Sequence, residues 1–118
     1  MAITPSDLVE LGARLASEPG EASLRAACSR AYYAAYHACL SFAEARGFKA
    51  ERGSVHAALI RYLTEGAQKD ARQLGNQLRI MRTLRTEADY YLGWSFESPR
   101  AAEAVEQARH ILSRVAAP

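Results

Sequence analysis

The fold is decided by residues 24–42, which read LRAACSRAYYAAYHACLSF. Small or apolar side chains recur there at helical spacing and form one stripe, made of Leu24, Cys28, Ala31, Ala35, Cys39 and Phe42. Because most of these side chains are small, a neighbouring helix can approach the stripe closely. The segment therefore predicts a long helix over residues 21–47 that packs tightly within a helical protein.

Four more helices are predicted on either side of this segment from capping residues, prolines and glycines. They are expected to run from Thr4-Pro5 to the stop at Pro19-Gly20, from Ser54 to Gly66, from Lys69 to Tyr91, and onward from Ser98-Pro99. No stretch alternates with a period of two for long enough to indicate a strand. We therefore predict a single all-α domain, 1–118, built as an up-and-down four-helix bundle with an additional short helix.

The composition is that of a globular protein, since 49% of the residues are hydrophobic and 24% are charged. The formal net charge of +2 is too small to imply nucleic-acid binding by itself, so such a function must rest on where the charges lie. No apolar run approaches the ~18–20 residues of a membrane span, and residues 1–5 do not resemble a signal peptide. We expect a cytoplasmic protein without membrane contact.

The two cysteines, Cys28 and Cys39, fall on the same predicted helix. A helical rise of ~1.5 Å per residue places them beyond the reach of a disulfide, so we expect buried thiols in a reducing compartment. The cysteines also lack zinc-ligand spacing, and the chain has neither the Glu-x-x-His pairs of di-iron bundles nor a glycine-rich phosphate loop. We expect no metal and no cofactor.

A row of polar side chains, Arg30, Tyr33 and His37, follows i, i+3, i+7 spacing beside the small-residue stripe. Such large polar groups at that position are poorly explained as ordinary solvated surface. The favoured interpretation is a buried hydrogen-bond network that fixes helix packing, and the alternative is a binding site. His56, in the first turn of the third helix, is a further candidate for the network, or a general base if it faces a cleft.

Arg85 lies between Met81 and Ala88 on the apolar stripe of the fourth helix, where a guanidinium needs a partner. Asp89 can provide it from the next turn, or it can pair instead with Arg30 of the central helix. Arg85 then either belongs to a semi-buried ion pair that sets helix register, or faces a groove and contacts phosphate. The sequence favours neither arrangement.

A cationic bias on the fourth helix adds a weak nucleic-acid signal. The candidates for contacting RNA or a nucleotide are Arg79, Arg82 and Arg85. Acidic residues of the same helix, among them Asp70 and Glu87, offset part of the charge. The alternative for this charge run is a solvated face.

Two segments of the chain resemble the HEPN family. Residues 29–37, SRAYYAAYH, resemble the early signature helix of a large prokaryotic branch, and residues 84–90, LRTEADY, resemble its later arginine-x3-aspartate-tyrosine motif. The spacing between the segments, the intervening GSVH at 53–56 and the closing amphipathic helix also match, so the resemblance covers nearly the whole chain. It implies a bundle of four or five helices, commonly a homodimer with the later motif near a groove between subunits.

The resemblance also implies a kind of function. HEPN proteins serve prokaryotic toxin–antitoxin and defence systems, and many are metal-independent ribonucleases whose active site is an arginine followed after four to six residues by a histidine. Some are toxins silenced by a nucleotidyltransferase, encoded beside them, that modifies a tyrosine near this motif. RNA or a nucleotide, a nucleotidyltransferase and a second copy of the chain are therefore the implied partners.

The nuclease histidine is missing here, because the positions that it would occupy after Arg85 hold Tyr90, Tyr91 and Leu92. A tyrosine phenol, with an ordinary pKa of about 10, is a poor base near neutral pH. We therefore expect a dimeric HEPN-type interaction module that contacts nucleotide, RNA or a nucleotidyltransferase. The alternatives are a purely structural homodimer and an active ribonuclease toxin, in which Arg85 would act with Asp89, Tyr90 or a histidine from another helix.

Overall fold

The computed structural model describes residues 2–51 and 53–116. They form five helices: α1 (Pro5–Ala16), α2 (Glu21–Glu44), α3 (Val55–Thr64), α4 (Lys69–Tyr90) and α5 (Ser98–Ala116). No strand occurs in this part of the chain. The predicted all-α fold is confirmed, and each helix lies within a few residues of the range expected for it.

Local side-chain hydrogen bonds explain where α1 and α3 begin. Thr4 and Asp7 form a capping box at the start of α1, in which each side chain accepts a hydrogen bond from the other residue's main-chain N–H. The Ser54 hydroxyl likewise accepts from the Ala57 N–H at the start of α3. Between α1 and α2 the chain turns at Gly20, whose φ of 100° is a backbone conformation that glycine adopts without strain.

The central element of the bundle is α2, which contacts all four other helices. Its buried side consists mostly of alanine and cysteine, each less than a tenth exposed: Ala27, Cys28, Ala31, Ala34, Ala35, Ala38, Cys39 and Ala43. These short side chains let the neighbouring helices pack close to the α2 backbone. The large exceptions on α2 are Tyr32, which is fully buried, and Arg25 and Tyr36, each of which is 8% exposed.

Gly75 brings α4 against the end of α3. A Cβ atom at this position would lie 2.7 Å from Thr64 Cγ2 and 2.9 Å from the Thr64 main-chain nitrogen. The main-chain atom cannot rotate away, so a larger side chain would force the two helices apart. This close contact fixes α3 beside α4, and the surface between these two helices carries the candidate site.

Both cysteines lie in the core as free thiols, as their spacing predicts. Burial raises the pKa of Cys28 and of Cys39 to about 12, so both remain protonated at neutral pH. They act as small apolar side chains. None of the helices in the described ranges is long and apolar enough to span a bilayer.

Candidate nucleic-acid interface

Arg85 of α4 is turned into the bundle and is only 9% exposed. Its Nη1 lies 3.7 Å from Asp89 Oδ2, and its Cζ is 5.1 Å from the ring centre of Tyr32 and 5.7 Å from that of Tyr33. Its Nε is buried and has no hydrogen-bond partner among residues 2–51 and 53–116. Of the two arrangements considered for Arg85, the structure contains the semi-buried ion pair.

The cross-helix ion pair between Arg30 and Asp89 is not present. The Ser29 hydroxyl donates a hydrogen bond to Asp89 Oδ2 at 3.4 Å and accepts one from Arg30 Nη2 at 3.3 Å. Arg30 therefore reaches Asp89 only through Ser29, while its guanidinium carbon lies 5.2 Å from the Tyr33 ring centre. Asp89 itself is partly exposed and ties α4 to α2 at this one hydroxyl.

A polar and aromatic network lies between α2 and α3, and it contains the predicted His56 together with Tyr32 and Tyr36 of α2. The Tyr32 hydroxyl lies 2.6 Å from His56 Nδ1, and the His56 ring stacks on Tyr36 with ring centres 4.1 Å apart. Burial lowers the pKa of His56, and the nearby positive charges of Arg82 and Arg85 lower it further, so the imidazole is neutral at pH 7. Burial likewise raises the pKa of the Tyr32 phenol.

Of the predicted row, both aromatic members lie against this network: the ring centre of Tyr33 is 5.9 Å from that of His56, and the ring centre of His37 is 5.1 Å from that of Tyr36. Arg30 and Tyr33 are half-buried, whereas His37 is exposed and makes no hydrogen bond with the described residues. The buried row is the adjacent one, Ser29, Tyr32 and Tyr36. It has the same i, i+3, i+7 spacing as Arg30, Tyr33 and His37, so spacing alone does not distinguish the two.

An open groove of about 780 Å³ runs between α3 and α4. Its lining comes from both helices and from the segment after α4: Ala57, Ile60, Arg61, Thr64, Arg79, Arg82, Thr83, Thr86, Glu87, Tyr91 and Trp94. Of the sequence-predicted phosphate contacts, Arg79 and Arg82 lie in this groove and Arg85 does not. Arg61 adds a third cation from α3, which the charge pattern of α4 could not show.

The groove is positively charged and ends in two aromatic rings. Its acidic residue, Glu87, is already paired with Arg100 at 3.2 Å, whereas Arg82 forms no ion pair with the described residues. Tyr91 and Trp94 are 43% and 57% exposed, and their ring centres are 4.6 Å apart in an edge-to-face arrangement. Cations that bind phosphate and faces that stack on bases are thus found in one groove.

Tyr90, a catalytic candidate from the sequence, is 68% exposed. It does not line the groove, and no histidine occupies the positions after Arg85. Among the described residues, no three histidine, cysteine, aspartate or glutamate side chains are grouped so as to hold a metal ion.

The sequence comparisons agree with this architecture. No curated protein and no solved structure matches the chain significantly. The model of the HEPN domain, in contrast, matches residues 12–117, which is nearly the full length. The helical bundle built around the SRAYYAAYH segment is thus that of a HEPN domain, and the chain belongs to the HEPN domain family.

Proposed function

We propose that this chain is a HEPN-type module of a prokaryotic toxin–antitoxin or defence system that binds RNA or a nucleotide in the groove between α3 and α4. The observation that supports this most directly is the presence of Arg61, Arg79 and Arg82 beside the exposed rings of Tyr91 and Trp94. Guanidinium groups bind phosphate through paired hydrogen bonds, and aromatic faces stack on unpaired bases. The groove volume is also within the range of small-ligand sites.

The proposal includes a second copy of the chain and a nucleotidyltransferase as protein partners. Large apolar side chains are exposed at the end of α4, where Tyr90 and Leu92 are 68% and 71% exposed. Exposed apolar groups that lie together favour a protein contact over open solvent. They support a subunit or partner interface beside the groove.

Binding is tested with a double variant, Arg79→Gln with Arg82→Gln, and a fluorescently labelled oligoribonucleotide in an anisotropy titration. We expect the Kd to rise about tenfold or more, because two phosphate contacts are lost. The slope of log Kd against log salt concentration should also fall by about 0.7 for each lost contact. The control is Arg14→Gln with Arg109→Gln, which removes the same charge from α1 and α5 and should change the Kd less than about twofold. Equal losses of affinity in both double variants, or no binding by the unaltered protein, would exclude the groove as the binding site.

A second candidate function is a metal-independent ribonuclease that uses Arg85 with a histidine from another helix. One observation favours it: His56 of α3 is hydrogen-bonded to Tyr32, the same ring that lies against the Arg85 guanidinium. A neutral imidazole beside an arginine can accept a proton near pH 7. His56 would then take the place of the missing histidine on α4.

Cleavage of the same oligonucleotide in the presence of a chelator tests this alternative. We expect activity, if the chain is a nuclease of this kind, to fall about 100-fold or more in His56→Ala, the usual contribution of a general base. The control is His110→Ala, since His110 pairs with Gln77 at the surface between α4 and α5 and does not line the groove. Cleavage that survives in His56→Ala would exclude this residue as the base.

A further inference from the structure

Arg25, near the start of α2, is 8% exposed and has a partner for each of its N–H groups. A guanidinium has five N–H donors, and five acceptors surround this one. They are the Glu21 carboxylate (3.1 Å from Nε) and the main-chain carbonyls of Glu87 (3.2 Å), Ala88 (2.8 Å), Tyr91 (3.2 Å) and Trp94. The guanidinium thus joins α2 to the end of α4 and to the segment that follows it.

The position of this charge has a clear physical reason. The last carbonyls of a helix have no partner within the helix and carry the negative end of its dipole, so a cation is favourable there. Glu21 completes the arrangement, because its Oε1 accepts the Phe96 N–H at 3.1 Å. That hydrogen bond and the one from Arg25 lower the pKa of Glu21. We call Glu21 and Arg25 together the α2 clamp.

The clamp holds the part of the chain that carries the aromatic end of the groove. Tyr91 and Trp94 lie beyond the last turn of α4, and each residue is more than two fifths exposed, so core packing does little to fix them. Their main chain is fixed instead, through the two carbonyls bonded to Arg25 Nη2. Phe96, bonded to Glu21, anchors the same segment with a buried ring.

We propose that Glu21 and Arg25 are positioning residues for ligand binding: without touching the ligand, they hold the Tyr91–Trp94 pair in place for stacking on a base. This inference rests on the proposed RNA or nucleotide function. Its physical basis is that a binding surface fixed in advance loses less conformational entropy when the ligand binds. Loss of the clamp should therefore weaken binding while the groove arginines remain intact.

Trp94 allows a direct test, because it is the only tryptophan of the chain. Glu21→Gln removes the negative charge of the clamp and leaves Arg25 in place. Because the Glu21 side chain is 47% exposed, the amide fits without crowding. The measurements are acrylamide quenching of Trp94 fluorescence in the free protein and the Kd for the oligoribonucleotide. Far-UV circular dichroism checks that the variant is folded.

The matched control is Glu18→Gln, three residues upstream. Glu18 is exposed, and among the described residues its carboxylate accepts a hydrogen bond only from the Ser23 hydroxyl. Both substitutions remove one negative charge, which by electrostatics alone should strengthen RNA binding slightly. If the clamp positions the aromatic rings, Glu21→Gln should instead weaken RNA binding. The electrostatic effect and the loss of the clamp therefore change the Kd in opposite directions.

We expect Glu21→Gln to raise the accessibility of Trp94 and to weaken binding about fivefold, the lower part of the range for one stacked base. Glu18→Gln should neither raise the accessibility of Trp94 nor weaken binding. Arg25→Lys, which keeps the charge but has three donors in place of five, should act like Glu21→Gln. Unchanged Trp94 quenching in both clamp variants, Glu21→Gln and Arg25→Lys, would overturn the inference about the clamp. Failure of the unaltered protein to bind RNA would overturn the proposed function, whatever the quenching shows.

Discussion

We expect Arg25→Met to lower the free energy of unfolding by about 3 kcal/mol, since hydrogen bonds from a charged donor contribute about 1.5–3 kcal/mol each and water can replace some of them. The Ala88 carbonyl is the group most affected, because its bond to Arg25 is buried. The other carbonyls are partly buried and regain some hydration. The substitution also removes a cation from the negative end of the α4 dipole.

Urea denaturation followed by circular dichroism measures this loss, and a thermal melt should show a fall of about 10 °C in Tm. The stability of Arg25→Lys should lie between that of the unaltered protein and that of Arg25→Met, because an ammonium keeps the charge but reaches fewer carbonyls. Arg30→Met is the control from the same helix. Arg30 is half-buried, and its guanidinium donates only to Ser29 within the described part of the chain, so its removal should change stability by less than about 1 kcal/mol. A comparable loss in both methionine variants would contradict the role given to Arg25.

The helices were predictable because their signals are local. A capping pair such as Thr4 and Asp7 acts within one turn, and a proline or glycine interrupts a helix whatever surrounds it. The buried stripe of α2 was also predictable, since alanine and cysteine at helical spacing leave few other arrangements. These features depend on residues that are neighbours in sequence.

The contacts of the large polar side chains were less predictable, because several rows of α2 have the same spacing. Arg25 and Tyr32 lie on the buried side, whereas His37 is exposed. The sequence shows a polar row but not how far α2 is rotated about its axis. That rotation is set by the packing of α3, α4 and α5 around α2, which are contacts between distant residues.

The candidate site was predictable where its residues belong to one helix, and not where it depends on contacts between distant residues. Arg79 and Arg82 belong to one helix, and their common face follows from periodicity. Arg61 joins them only because Gly75 lets α3 lie directly against α4. Trp94 joins them because Arg25, about seventy positions earlier, binds its carbonyl. No local pattern contains either relation.

The second large effect concerns the ion pair inside the bundle, where the two partners are unequally buried. We expect Asp89→Ala to lower the free energy of unfolding by about 3 kcal/mol, because it leaves the buried Arg85 guanidinium without its carboxylate. Arg85→Met should change stability by less than about 1 kcal/mol. It leaves behind only a partly exposed carboxylate, and it removes a buried charge whose Nε has no hydrogen-bond partner in the described chain.

A double-mutant cycle in urea denaturation measures this asymmetry. In the double variant, Arg85→Met should restore most of the stability that Asp89→Ala removes, which gives a coupling of about 2 kcal/mol. Equal losses in the two single variants would mean that Arg85 itself stabilises the fold. The expected result has a functional consequence: a buried arginine that stability does not require, lying against Tyr32 and close to His56, is available for a role in binding or catalysis. A folded Arg85→Met protein is therefore also the right reagent for the RNA cleavage and binding assays, because any loss of activity in it cannot be attributed to unfolding.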